Sequence, residues 1–196
     1  MNIEQMTAAE HKARSDRSYK LLLLVAMVSI IMVFAGLTSA FVVSKSREDW
    51  LKDFQLPTAF FWSTLVIIIS SLTFHLAKVS IRKNNRTQTS AFLLTTLALG
   101  ILFVLLQFQG FGQIIAGGHY FTGAQSSITT TFLFLVAIVH LAHLFAGLIS
   151  LFVIVTKHFL NRYNSTSYLG IELGLMFWHF LDILWVYLFL FLYFFK

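Results

Sequence analysis

Long, nearly unbroken apolar runs separated by short polar segments make up most of this chain. Five such runs stand out: Leu21–Val43, Ala59–Ala77, Ala91–Ile115, Ile128–Val155 and Leu173–Phe195. A helix needs about 20 residues to cross a bilayer, and each run reaches or approaches that length. The alternation of a barrel strand is absent, and lipid offers backbone groups no partners, so the runs predict membrane-spanning helices. The expected fold class is all-α, an integral membrane bundle of five transmembrane helices over residues 21–196 behind a polar tail over residues 1–20. That tail does not read as a secretory signal. The run behind it is too long for a signal core and ends in VVSKSREDW, without a small-residue cleavage site.

Charge orients the bundle. Of the 14 Lys and Arg residues, ten fall on one side: Lys12, Arg14, Arg17 and Lys20 in the tail, Lys78, Arg82, Lys83 and Arg86 in the second connection, and Lys157 and Arg162 in the fourth. The other side holds Lys45, Arg47, Lys52 and Lys196, offset by Glu48, Asp49 and Asp53. Cytoplasmic segments carry the excess of Lys and Arg, so the N-terminus is expected inside and the C-terminus outside.

Composition agrees. Hydrophobic residues make up 58% and charged residues 11%, with a mean hydropathy of +0.79, which leaves too little charge for a soluble surface. The net charge of +6 belongs to basic inner loops rather than to a nucleic-acid face. The absence of cysteine excludes disulfides, thiolate metal sites and a Cys-ligated dinuclear copper centre within the chain. Pro57, the only proline, precedes the second run and starts a helix without breaking one. No run has the Gly/Pro interruptions of a transporter helix, and no internal repeat is visible. Small residues recur four apart in the first run (Ala35/Ser39, Gly36/Ala40) and the fourth (Ala142/Ala146/Ser150), a spacing that allows close helix approach.

The candidate chemistry lies in the few ionisable groups within or bordering the spans: His75, His140, His143, Glu172, His179 and Asp182. A charge at mid-membrane costs about 2.5–3.5 kcal/mol on insertion scales, so each should face the bundle and have a partner. Glu172, His179 and Asp182 form one stripe of the last helix, with Asp182 placed to reach back to His179. His140 and His143 share a face of the fourth. At 1.5 Å per residue, His143 lies roughly 18 Å and Asp182 roughly 14 Å from the inner ends of their helices, so the two pairs are expected to meet. His75 and His119 are expected to stand apart from them, His11 and His158 to be solvated, and Gln107 and Gln109 to bond neighbouring helices. From the residues alone three readings stay open: a proton relay, a haem or metal site, and a polar clasp that fixes helix register. A stand-alone bis-His membrane haem protein that carries electrons is the alternative from another class, although Phe177, Trp178, Phe180 and Trp185 crowd the last helix. No phosphate loop, nucleophile–base pair or HExxH motif occurs.

These residues also carry a resemblance. WHFLDILWVYLF, with Glu172 seven residues before the His, resembles the signature of subunit III of haem-copper terminal oxidases, the cytochrome c oxidase and quinol oxidase family. VHLAHLFAGLI in the fourth run and FAGLTSAFVV in the first are similar to two further segments of that family. The order of the five runs resembles the five-helix bacterial form, which lacks the first two helices of the seven-helix one. The resemblance implies a non-catalytic accessory subunit of a respiratory oxidase in the bacterial inner membrane. Haem and copper would belong to partner subunits and none to this chain. Its partners would be oxidase subunit I, the other oxidase subunits and phospholipids held between helices, with a supercomplex containing a quinol:cytochrome c reductase as a further setting. It would support assembly and sustained proton-coupled oxygen reduction. A component of a quinol oxidase or nitric oxide reductase complex is the alternative within the same family. Carried over by position, Glu172, His179, Asp182, Trp178 and Trp185 match the last-helix pattern, and His140 and His143 match the His pair. The chain departs from the pattern at Ile30, where many members place a carboxylate four residues before Phe34.

Overall fold

Behind Pro57, which has no amide proton to donate, the chain turns helical at Thr58. Equivalent punctuation sets the other ends. Asn85 caps its helix by accepting from the Gln88 amide at 3.2 Å, and Ser127 and Thr130 form a reciprocal capping box. Asn84 and Asn161 take the left-handed conformation (φ 57° at each) that lets the chain leave one helix and enter the next connection. The computed structural model describes residues 8–47, 50–51, 56–123, 126–165 and 167–195. It contains α1 (Ala8–Ser44), α2 (Thr58–Arg82), α3 (Arg86–Ala116), α4 (Ile128–Phe159) and α5 (Leu169–Phe195). All five are long and apolar enough to cross a membrane. Among the described residues there is no strand, only isolated bridges in two connections. Residues 1–7 of the tail, and Glu48, Asp49, Lys52, Asp53 and Lys196 of the charge count, lie outside the described residues.

The helices outrun the apolar segments. Residues 8–20, expected as a tail, continue α1 into the polar region. Hydropathy marks only the part of a helix that meets lipid. The backbone goes on coiling until a breaker appears, and this stretch contains neither Gly nor Pro.

Four helices close a ring: α2 packs on α3 and α5, and α4 packs on α3 and α5. Helix α1 lies outside the ring and touches only α4 and α5. It buries Met27, Phe34 and Phe41, which are seven residues apart, together with Thr38. Such a narrow stripe suits one shallow seam of the coiled-coil kind. Most of the apolar part of α1 outside that stripe is exposed, including Leu22, Met32 and Val43.

Close approach is made by glycines rather than by the small-residue stripes. Ala35, Gly36, Ser39 and Ala40 face outward, as do Ala142 and Ala146, and a side chain at Gly36 would meet nothing. A Cβ at Gly100 would instead fall 2.8 Å from Trp178, and one at Gly110 would overlap the Phe60 ring. Those glycines admit the largest buried side chains of the core.

Candidate functional site

The polar residues of α5 come to three different places. Glu172, near the start of α5, accepts from Lys20 of α1 at 2.8 Å and from Lys78 of α2 at 3.2 Å. His179 joins its Nδ1 to the Ser71 hydroxyl of α2, and its ring centroid lies 6.0 Å from that of His75. Asp182 is 4% exposed, and neither carboxylate oxygen has a hydrogen-bond partner that meets normal geometry. The Ser71 hydroxyl lies against it without completing such a bond. The expected Asp182–His179 contact is therefore not formed. Three residues along an α-helix leave the two side chains about 60° apart, so His179 faces the α2 seam while Asp182 points inward. His75, expected apart, is brought to His179 by the antiparallel packing of α2 on α5.

The two polar pairs do not meet either. His140 is 1% exposed and packs its ring against Trp185 at 5.1 Å, Phe34 at 6.2 Å and Phe103 at 6.4 Å. His143 turns its Nδ1 to the Val139 carbonyl at 2.7 Å and its ring to Phe34 at 5.8 Å. The motif positions still join α4 to α5, but through His140 and Trp185, one helical turn beyond Asp182. Phe34 and Phe103 stand edge-on to the His140 imidazole, and Trp185 lies tilted 33° to it. Among the described residues no three His, Cys, Asp or Glu side chains converge. At Ile30 the aliphatic chain packs beside Phe34, Val136, Leu184 and Leu188.

The hydroxyls of α2 were not singled out by sequence reasoning, yet they receive α5. Trp178 donates its Nε1 to Ser70 at 3.2 Å, and Trp185 donates to Thr64 at 3.0 Å. Gln107 of α3 donates to Ser63 at 2.8 Å, as its expected role requires, whereas Gln109 is exposed. The available signal was the recurrence of Ser63/Thr64 at Ser70/Ser71, seven residues on, which matches the spacing of Trp178 and Trp185. His158 is buried rather than solvated. Its Nε2 meets Ser90 at 2.9 Å, and its carbonyl accepts from Arg86 at 2.8 Å, tying the start of α3 to the end of α4. His11 is exposed, as expected.

Charge reversal tests the Lys20–Glu172–Lys78 ion triad. Glu172→Lys would leave three cations where two now share one carboxylate, and α1 would lose its ionic tie to α5. Removing one partner of a buried pair costs about 3–5 kcal/mol, and solvent reduces that figure for these partly exposed side chains. The expected result is a lower melting temperature of the purified protein and faster proteolysis of α1, with Lys20→Glu in the same chain restoring both. Unchanged α1 docking in the single variant would dismiss the triad as an anchor.

A bundle of five helices long and apolar enough to cross a membrane, tied to one another by their own side chains, defines a polytopic membrane protein as the class. The family model for cytochrome c oxidase subunit III matches residues 1–196. Cytochrome c oxidase subunit 3 of Spodoptera frugiperda is 30% identical over 140 residues, 71% of this chain and 89% of that protein. Its counterpart in Drosophila melanogaster is 32% identical over 140 residues, which cover 71% of this chain and 50% of the insect protein. Cytochrome bo(3) ubiquinol oxidase subunit 3 of Pseudomonas aeruginosa is 31% identical over 165 residues, 83% of this chain and 74% of the relative. The chain belongs to the cytochrome c oxidase subunit III family, the third subunit of the haem-copper oxidases.

Proposed function

We propose that this chain is the accessory subunit III of a haem-copper terminal oxidase in a bacterial inner membrane. It sits beside the catalytic subunit, with its N-terminus in the cytoplasm. The observation that carries this reading is the family match over residues 1–196. The geometry supports it, since Glu172, His179, Trp178, Trp185 and His140 are each engaged with another helix of the same chain. In this role the chain adds a stable wall to the catalytic subunit, holds phospholipid between its helices and sustains proton-coupled oxygen reduction over many turnovers. Haem and copper reside in the partners.

The test is isolation in mild detergent with an optical spectrum. The complex should contain a haem-bearing partner, and the chain stripped from it should be colourless. A Soret band that stays with the isolated chain would overturn the reading. A second reading, a quinol rather than cytochrome c oxidase, is favoured by the larger share of this chain matched by the Pseudomonas aeruginosa relative, 83% against 71%. Oxidation of quinol or of cytochrome c by the purified complex decides between the two donors.

A further inference from the structure

Asp182 is the central residue of α5, which runs from Leu169 to Phe195. Its buried carboxyl oxygens lack formed hydrogen bonds. From there a line of polar groups leads to the inner side: Ser71 against Asp182, His179 bonded to Ser71, His75 with its ring beside His179, then Lys78, Glu172 and Lys20. On the outward side the buried Ser63, Thr64 and Gln107 bond, among the described residues, to the Phe60 carbonyl, to Trp185 and to one another, and none of the three titrates. One turn beyond Asp182 the buried Trp185 is packed by Phe103 at 5.2 Å and Phe60 at 5.8 Å, and its only polar atom is committed to Thr64. Helix α4 presents His140 and His143, which are turned onto Trp185 and Phe34.

We infer that Asp182 is a blind-ended proton-binding site, loaded and unloaded from the inner side through Ser71, His179 and His75. The chemistry follows from donor counting. A serine hydroxyl has one proton, and Ser71 lies between an imidazole nitrogen and a carboxyl group. If Ser71 donates to His179, its oxygen is satisfied when Asp182 carries a proton and donates in turn. That completes a network which a bare carboxylate at mid-membrane, with no cation beside it, would leave open. In the loading direction a proton from inner-side water reaches His75 and passes to His179, whose ring centroid stands 6.0 Å away. His179 releases its Nδ1 proton to the Ser71 oxygen, and Ser71 passes its own proton to the Asp182 carboxylate. One proton moves, no electrons do, and unloading is the reverse. The exposed His75 is the entry and Trp185 the closed end.

The inference deepens the accessory-subunit reading and rests on it only for its setting. The experiment is infrared spectroscopy of the purified complex, transferred from water to deuterium oxide. The carbonyl stretch of a protonated, buried carboxylic acid should be present in the native complex, absent in Asp182→Asn and displaced in Asp182→Glu. Its deuterium shift should slow at least about tenfold in Ser71→Ala and in His75→Leu, the size expected for removal of a positioned proton-transfer group. His75 is exposed and makes no hydrogen bond among the described residues, so His75→Leu keeps the test open even where the Asp182 variants fail to assemble. Absence of a protonated acid band in the native complex overturns the site. Equal exchange rates in the native, Ser71→Ala and His75→Leu complexes overturn the route. Both outcomes leave co-purification with the haem-bearing partner untouched, whereas loss of that co-purification in the native protein overturns the accessory-subunit reading alone.

Discussion

Trp178→Ala should release this subunit from its complex at detergent concentrations the native protein withstands. The indole is 1% exposed and lies between helices, close to Gly100 of α3 and Gly147 of α4. Its Nε1 donates to Ser70 of α2. Truncating a large aromatic in a packed core costs about 3–5 kcal/mol in water. In lipid the transfer part of that cost shrinks, because bilayer tails are as apolar as the core, and the lost van der Waals contacts remain. A loss of about 2–3 kcal/mol follows, together with a hydroxyl at Ser70 that has lost its donor. Trp178→Phe should recover most of the packing and none of the hydrogen bond. Retention of subunit III on size-exclusion chromatography, followed against detergent, measures this. Identical retention of the alanine variant and the native chain would show that α5 is held elsewhere.

Gly110→Val acts at a single contact. Here α3 has no side chain and Phe60 of α2 fills the space, with its ring fixed by Trp185 at 5.8 Å and Phe111 at 6.1 Å. A Cβ would overlap that ring, which is itself buried in the core, so the ring or the tightly paired α2 and α3 must shift. Overpacking of this kind costs about 1–3 kcal/mol, and more where two branches are added. The expected outcome is a lower melting temperature of the purified complex and early loss of this subunit. Gly36→Val, where a side chain meets nothing, should leave both unchanged. Equal behaviour of the two variants would contradict the assigned helix contacts.

The contrast between Gly110 and Gly36 shows where sequence reasoning stopped. Gly36/Ala40 and Ala142/Ala146 have the four-residue spacing of a packing motif, but spacing describes one helix and not what stands opposite it. Gly100 and Gly110 do the packing because Trp178 and Phe60 come to face them, and pairings across helices leave no mark in local periodicity. His75 is a similar case. It looked isolated in its own run, and the packing of α2 on α5 brought it to His179.

The five membrane helices and the family were legible from the chain alone. Lipid allows a lone apolar segment one solution, a helix with its backbone satisfied internally, so length and hydropathy suffice. The last-helix signature could be read because its spacing lies within one helix. Which polar group meets which could not. Asp182 was expected to bond His179, yet Ser71 came between them, and His140 went to Trp185 instead. Those choices depend on helix rotation and on which neighbour presents a hydroxyl at the right depth. They are set when α2, α4 and α5 pack, because a short side chain such as Asp reaches only what the neighbouring helix places within a few ångströms of it.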